Sequence, residues 1–309
     1  MSGRPKGYAP WNPAPETLIV LAQVREVLEE YARYGAMTAR QVFYRLVGQH
    51  GFPKSEKAYK RLCEHLVRAR RAGLIPFHAI RDDGTTTLGG GGWSSPESFW
   101  RSVRSAAENF ELSHQDGQPE TVELWCEAQM MAGMLARMVS EWHVPVYSTG
   151  GFSSVTVTHE IAQRVARADA PTAFLHVGDH DPSGQSIFVS MAQDAGAFVA
   201  ELVGALSDPA DGRVEGFFHP ERVALTRSQV EEYDLDTAPP KSTDSRSKRW
   251  AGETTQAEAM PPDLLQEVVR DAVYRHVDQF ALDLTLTRER RQREGILEAL
   301  DGAASTPEG

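Results

Sequence analysis

Two aspartates, Asp179 and Asp181, stand directly after a short apolar stretch and are well placed to carry chemistry. The stretch from Ala173 to Val177 is partly β-branched or aromatic and is followed by Gly, Pro and Gly, which predicts a buried strand. Residues two apart in an extended chain face the same way, so we expect the two carboxylates to lie side by side. Such a pair repels itself unless a cation lies between, and hard oxygen ligands suit Mg²⁺. The alternative is a solvated, Asp-rich turn.

A third acid, Glu127, follows an earlier predicted strand at 122–126. A helix, a strand at 144–148, a Gly150-Gly151 turn and another helix then lead to the strand that carries the aspartates. This alternation predicts a parallel sheet with right-handed crossovers, which brings Glu127 and the aspartates to one edge. Three acids there predict a metal site for Mg²⁺, with Mn²⁺ as an alternative ion.

The N-terminal third has the pattern of a helical unit. Apolar residues repeat at helical spacing over 16–34, and Thr38 with Gln41 forms a capping-box pattern that opens a second helix. A third helix over 55–71 and a strand at 74–80 follow. The order helix, helix, helix, β-wing resembles a winged helix-turn-helix, with 55–71 as the candidate groove-reading helix.

Charge is distributed unevenly along the chain. The formal net charge is −11, yet residues 36–80 hold nine Lys or Arg against two acids, and the remainder holds 23 basic against 41 acidic side chains. A basic segment in an acidic chain is typical of a phosphate-binding face. The alternative is an ordinary amphipathic helix with a solvated cationic face. The candidate DNA-binding residues are Arg45, Lys57, Lys60, Arg61, Arg68 and Arg71.

These motifs together resemble a known family. A strand ending in Glu, a glycine turn and a strand ending in Asp-x-Asp resemble the TOPRIM domain of topoisomerases, primases and some nucleases. The segment Asp179-His-Asp-Pro-Ser-Gly184 resembles the topoisomerase VI A subunit and the meiotic double-strand-break transesterase. Thr149-Gly-Gly-Phe is similar to that family's Gly-Lys-Gly-aromatic turn, with Gly150 in place of its lysine. The resemblance extends over about 38–190.

The same family has Arg and Tyr four residues apart on its winged-helix element, and Arg40 and Tyr44 match these positions. The resemblance implies that Tyr44, Arg40 and Glu127 are catalytic and that Glu127, Asp179 and Asp181 bind the metal. A tyrosine with a pKa of about 10 is a poor nucleophile at neutral pH, so a neighbouring guanidinium that favours the phenolate would help. The expected product is a double-strand break with 5′-phosphotyrosyl links.

Alternatives to this function stay open. The chain could be a hydrolytic TOPRIM endonuclease in which water attacks and Tyr44 only packs, or a DNA-binding module with a structural metal. Cutting both strands of double-stranded DNA implies a homodimer, in which we expect Tyr44 of one copy to meet the acids of the other. The sequence holds no ATPase motif, so strand passage would need a separate B-type ATPase subunit. A stand-alone member, like the Mini-A group of mobile elements, fits this pattern.

We therefore expect a mixed α/β protein with four parts. These are an arm at 1–15, a winged-helix domain at 16–95, a TOPRIM-like domain with a Rossmann-like parallel sheet at 96–225, and a C-terminal helical extension and tail at 226–309. No leader or membrane span is indicated, which favours a soluble, cytoplasmic, nucleoid-associated protein. Cys63 and Cys126 fall in apolar patterns and are expected to be small core residues.

Overall fold

The protein is a mixed α/β structure built around a four-stranded parallel sheet. The computed structural model describes residues 8–81, 92–150, 155–240 and 250–304. The N-terminal elements are α1 (Pro15–Glu30), β1 (Met37–Thr38), α2 (Ala39–His50), α3 (Glu56–Arg71), β2 (Ile80–Arg81) and α4 (Pro96–Glu108). The remaining elements are β3 (Thr121–Cys126), α5 (Gln129–Met138), β4 (Val146–Ser148), α6 (Val155–Arg167), β5 (Thr172–Val177), α7 (Pro182–Val203), β6 (Phe218–Ala224), α8 (Arg227–Glu232), α9 (Pro262–Tyr274) and α10 (Gln279–Ala304).

The helix that carries Tyr44 begins where the sequence predicts. The Thr38 side chain accepts from the backbone N–H of Gln41, and the Gln41 side chain accepts from the backbone N–H of Thr38. This capping box satisfies two of the amide groups that a helix start leaves unpaired. The third helix is confirmed as α3, with Ser55 as its N-cap.

The strand predicted at 74–80 is wrong. Phe77–Ala79 forms a single 3₁₀ turn, and only Ile80–Arg81 is extended, pairing in parallel with Met37–Thr38. Pro76 offers no N–H to a ladder, and Phe77 is 52% exposed, so neither residue supports a half-buried strand. Residues 82–91, where the predicted β-wing would continue, lie outside the described residues.

The parallel sheet is confirmed, with the order β4-β3-β5-β6. Because β3 and β5 are neighbours in register, with Cys126 opposite Val177, the residues that follow them lie at the same edge. Glu127, Asp179 and Asp181 are therefore brought together as the alternating strand and helix pattern predicts.

Two hydrophobic clusters cover the two faces of this sheet. One packs Phe174 and Trp125 against α6 and α7. The other packs Leu124 and Leu175 together with residues of α1, α2, α3, α5 and α9. The segments 16–95 and 96–225, expected as separate domains, thus share one core, and the N-terminal helices are fixed against the sheet.

Among the described residues, α7 alone is long and apolar enough to cross a membrane, and 33% of that stretch is buried. Length and composition are weak evidence, because the core helix of a soluble protein has the same properties. Here α7 contributes Met191, Ala195 and Val199 to the core on one face of the sheet.

Candidate functional site

A cavity of about 460 Å³ opens at the carboxyl edge of the sheet. Its wall is formed by α2 with the turn after it, by the sheet edge, and by the segments 236–239 and 254–256 of the C-terminal third. The lining residues are Tyr44, Lys54, Glu127, Asp179, Asp181, Pro182, Ser183, Asp236, Thr237, Ala238, Pro239, Thr254, Thr255 and Gln256. The tyrosine and the three acids singled out from the sequence therefore lie in one cavity of a single chain. The expectation that Tyr44 would meet the acids of a second copy does not match this arrangement.

Two of the three acids are held by backbone amides. Asp179 Oδ1 accepts from the N–H of Ala257 at 2.8 Å. Asp181 is the N-cap of α7 and accepts from the N–H of Gly184 at 2.6 Å. Glu127 differs, because its Oε2 atom is buried and has no hydrogen-bond partner among the described residues. Such an atom is costly to bury unless something else satisfies it.

Glycine allows the backbone to pass close to this orphaned oxygen. A Cβ atom at Gly184 would lie 2.4 Å from the carbonyl oxygen of Asp179 and 3.0 Å from Glu127 Oε2. A Cβ at Gly178 would lie 3.2 Å from the same Glu127 oxygen and 2.7 Å from the His176 ring. The glycine in Asp179-His-Asp-Pro-Ser-Gly184 is thus required by close packing against the backbone of Asp179.

The carboxyl groups here are electrostatically unfavourable as anions. Burial, followed by the charges of Asp179 and Asp181, raises the pKa of Glu127 to about 7. Burial is also the main cause that raises the pKa of Asp179. A further acid, Glu258, is buried nearby, and burial together with the charge of Asp179 raises its pKa. Perturbed carboxyls in a cleft are typical of functional sites.

These acids fit a hard divalent cation. As the side chains stand, no three His, Cys, Asp or Glu side chains of the described part of the chain converge on one point. Glu127 nonetheless lines a cavity that two aspartates also line, and its buried Oε2 atom has no partner among the described residues. Carboxylate oxygens are the ligands that Mg²⁺ prefers, and its charge would relieve the repulsion that raises the pKa of Glu127. Glu127, Asp179 and Asp181 are the residues that would hold it.

Tyr44 and Arg40 share one acceptor. The Tyr44 hydroxyl donates to Gln256 Oε1 at 2.8 Å, and Arg40 Nη1 donates to the same oxygen at 2.7 Å. The Arg40 guanidinium also lies 5.2 Å from the centre of the Tyr59 ring. Burial raises the pKa of Tyr44 to about 12, although the Arg40 charge opposes that rise. The phenol is therefore protonated at neutral pH in this arrangement.

Lys54, Arg222 and Gln256 are site residues that the sequence interpretation missed. Lys54 lies at the cavity wall, where Nζ is 3.4 Å from Asp236 and donates to a backbone carbonyl. Arg222, on β6, is half-buried, lies within the electrostatic reach of the acids, and donates to the carbonyl oxygens of Asp179, Gly184 and Leu225. Nothing local distinguishes Gln256 or Lys54.

The predicted DNA-binding residues are divided between two places. Lys57, Lys60, Arg61 and Arg68 are exposed on α3 and Arg71 is half-buried at its end. On that face Lys60 pairs with Glu56 at 2.7 Å, and Arg68 lies 5.6 Å from the Trp11 ring centre. Arg45 is different, because it is half-buried on α2 and donates to the carbonyl oxygen of Ala259. Its guanidinium links α2 to the C-terminal third.

The sequence matches no protein-family profile, and a search of curated proteins finds no significant similarity.

Proposed function

We propose that this protein cleaves double-stranded DNA by tyrosine transesterification, with Tyr44 as the nucleophile and Mg²⁺ or Mn²⁺ as the cofactor. The proposal includes the winged-helix plus TOPRIM arrangement and a kinship with the topoisomerase VI A subunit and the meiotic transesterase. One observation carries it: Tyr44 of the N-terminal helical unit lines the same cavity as Glu127, Asp179 and Asp181 of the sheet edge.

The proposed reaction exchanges one ester for another. Tyr44 Oη attacks the scissile phosphorus, the bond to the 3′ oxygen breaks, and the 5′ end is left as a phosphotyrosyl ester. The phenolic proton is lost on attack and one proton is taken up by the 3′ oxygen, so no water is consumed and the exchange can run backwards. Arg40 lies where its charge can bind the phosphate and favour the phenolate.

The acids would contribute through the cation that they hold. When bound, Mg²⁺ supplies charge stabilisation to the phosphate and to the leaving oxygen. The negative charge of Asp179 is one of the causes that raise the pKa of Tyr44. Neutralising Asp179 therefore makes the phenol of Tyr44 easier to deprotonate, so the acid cluster acts on the nucleophile as well as on the phosphate.

DNA would approach along α3. This helix begins beside the cavity, since Ser55 and Tyr59 share a pocket with Arg40, Tyr44 and Lys54. Its exposed basic residues continue outward from there. Duplex phosphates bound by Lys57, Lys60, Arg61 and Arg68 would thus lead one strand towards Tyr44.

A double-strand break requires two sites, and each chain has one Tyr44 and one acid cluster. We therefore include a homodimer in the proposal, with each site built within one chain. Strand passage would need a separate B-type ATPase subunit. A cytoplasmic, nucleoid-associated location follows from the proposed substrate.

The second candidate is a hydrolytic TOPRIM endonuclease. The observation that favours it is the state of Tyr44, whose hydroxyl is tied to Gln256 and whose pKa is raised to about 12. A phenol with so high a pKa attacks poorly at neutral pH, so water held at the same acids would be the competing nucleophile.

Replacing Tyr44 with Phe separates the two candidates. The change keeps the ring and removes the attacking oxygen, so we expect the covalent protein–DNA adduct and the cleavage to fall together by at least about 10³-fold. Plasmid cleavage with Mg²⁺, resolved on a denaturing gel, measures both products. Tyr147→Phe is the matched control, because Tyr147 is half-buried and stacks on Trp125 at the other face of the sheet. Cleavage that survives in Tyr44→Phe would assign the reaction to water.

A further inference from the structure

A short segment of the C-terminal third, Thr254–Ala257, lies across the cavity, and we call it the strap. Thr254 and Ala238 exchange backbone hydrogen bonds of 2.7 and 2.9 Å, and Thr255 and His180 exchange bonds of 2.8 and 3.0 Å. This pairing on both sides fixes the strap between α2 and the sheet edge. Gln256 thereby contacts Arg40 and Tyr44, and Ala257 contacts Asp179.

Gln256 occupies a place suited to a phosphate oxygen. Its Oε1 atom accepts from Tyr44 at 2.8 Å and from Arg40 at 2.7 Å, so a hydroxyl and a guanidinium converge on one oxygen. Donors of this kind prefer an anionic acceptor, because charge-assisted hydrogen bonds are about twice as strong as neutral ones. A neutral amide oxygen takes that position here.

The strap also engages the acid side of the cavity. The N–H of Ala257 donates to Asp179 Oδ1 at 2.8 Å. Asp179 is one of the residues that would hold the proposed cation. Nearby, the carbonyl oxygen of Thr237 accepts from Lys54, and Thr237 and the strap both line the cavity. The chain's own polar groups thus occupy the donors of Tyr44, Arg40 and Lys54 and one oxygen of Asp179, which a phosphate and a cation would need.

We infer that the strap is an internal stand-in for DNA: Gln256 holds the position of a scissile-phosphate oxygen, and the strap must move aside before a duplex can bind productively. The inference rests on the proposed function, because it assigns the Tyr44 and Arg40 pair to a phosphate. The resting protein is then self-blocked. A phosphate displaces the strap because it offers Arg40 a charged partner in place of a neutral one.

Substitutions at Gln256 test this with effects of opposite sign. Gln256→Ala deletes the internal acceptor, so we expect a labelled duplex to bind about 5- to 10-fold more tightly. Gln256→Glu supplies a carboxylate that pairs with Arg40, so binding should weaken by about 10-fold. Fluorescence anisotropy in EDTA measures affinity with neither metal nor cleavage. Gln49→Ala is the matched control, since Gln49 is exposed on the same helix as Tyr44 and contacts Glu30.

The outcomes separate this inference from the proposed function. Unchanged or weaker binding by Gln256→Ala would overturn the strap, because a glutamine that merely positions Tyr44 or supports the fold gives no gain. If that variant does not fold, Gln256→Glu decides: weaker binding supports the strap, and unchanged binding overturns it. A Tyr44-dependent adduct in the wild type, without tighter binding by Gln256→Ala, would overturn the strap inference and leave the proposed function standing. Tighter binding without any adduct would keep a phosphate site and remove the transesterase.

Discussion

Carboxyl groups at the two ends of the sheet have pKa values shifted in opposite directions. At the amino end, Glu120 precedes β3 and contacts His219 and His276, and His276 together with Arg275 also contacts Glu221. Burial raises the pKa of Glu120, but hydrogen bonds from His276 and His219 outweigh it and lower the pKa. At the carboxyl end, Glu127 has a buried oxygen with no partner among the described residues, and burial raises its pKa to about 7.

This difference distinguishes a structural cluster from a prospective site. A carboxylate with cationic partners stabilises the fold as it stands. A buried carboxyl oxygen without a hydrogen-bond partner, such as Glu127 Oε2, is unfavourable in the folded protein even with the Arg222 charge nearby, and it persists where another group completes it. Sequence position alone does not reveal this, because Glu120 and Glu127 flank the same strand. The partners make the distinction.

The largest predicted effect is on cleavage. Glu127→Gln removes a candidate metal ligand while keeping the side chain's shape, so we expect cleavage to fall by about 10³-fold or more. Glu120→Gln, at the other end of the same strand, should change it less than about 2-fold, because its carboxylate contacts histidines away from the cavity. Plasmid nicking and linearisation with Mg²⁺ give both rates.

Equal losses in the two variants would break the comparison, since the carboxyl end would then have no special role. Circular dichroism of both variants establishes that the fold is intact. Mg²⁺ binding followed by calorimetry gives a second measure, because Glu127→Gln should weaken it and Glu120→Gln should not.

The next effect is on stability, and its sign differs between the ends. The folded pKa of Glu127 is about 7 against an ordinary value of 4.5, so the folded state holds a proton that the unfolded chain has already lost. Stability therefore falls as pH rises from about 4.5 to 7. Glu127→Gln avoids that fall, and we expect a gain of about 1–2 kcal/mol at pH 8 after allowance for solvent screening. Urea unfolding measures it.

Glu120→Gln should behave in the opposite manner. The lowered pKa of Glu120 gives a stabilisation that is present above its ordinary pKa and lost as pH falls through the folded value. Hydrogen bonding to Glu221 and Glu120 raises the pKa of His276. The stabilisation that protonated His276 gives is therefore present below pH 6.5 and lost as pH rises through the folded pKa. The variant should thus be less stable than the wild type at pH 6. A loss of stability at pH 8 in Glu127→Gln would contradict the assignment.

The smallest effect concerns DNA affinity. If duplex DNA approaches only the carboxyl end, Arg61→Ala on α3 should weaken binding by about 3- to 5-fold and reduce the salt slope by about one. Arg275→Ala is the matched control at the amino end, where Arg275 pairs with Glu221. Anisotropy titrations at several salt concentrations compare them. A steeper loss in Arg275→Ala would place the DNA on the wrong end of the sheet.

Much of the site was accessible from the sequence because its signals are local. The capping pattern of Thr38 and Gln41 sets the start of α2, and the alternation of strands and helices places Glu127 beside Asp179. The strand at 74–80 failed because an apolar run was weighed above Pro76, which opens a 3₁₀ turn. These errors and successes both follow from residues close in the chain.

The remaining parts depend on contacts between distant residues. Arg40 and Gln256 are 216 positions apart, and the segment that holds Gln256 shows no helical or strand periodicity. Arg45 is a basic residue in the basic segment and was predicted to contact DNA. In the structure its guanidinium instead donates to the carbonyl oxygen of Ala259. Contacts between residues so distant in the sequence are set by how the helices pack on the sheet, and no local sequence pattern encodes them.

The core that α1, α2 and α3 share with the sheet has a mechanical consequence. Leu46 is fully buried in that cluster, only two residues beyond Tyr44, and Leu124 and Val269 belong to the same cluster. The cavity walls cannot swing apart as rigid bodies without exposing this apolar surface to water, at about 25 cal/mol for each Å². Within the described residues, α2 is therefore fixed relative to the sheet edge. A substitution that loosens Leu46 would change the distance between Tyr44 and the acids as directly as one made inside the cavity. The temperature at which the proposed cleavage is lost should therefore follow global unfolding.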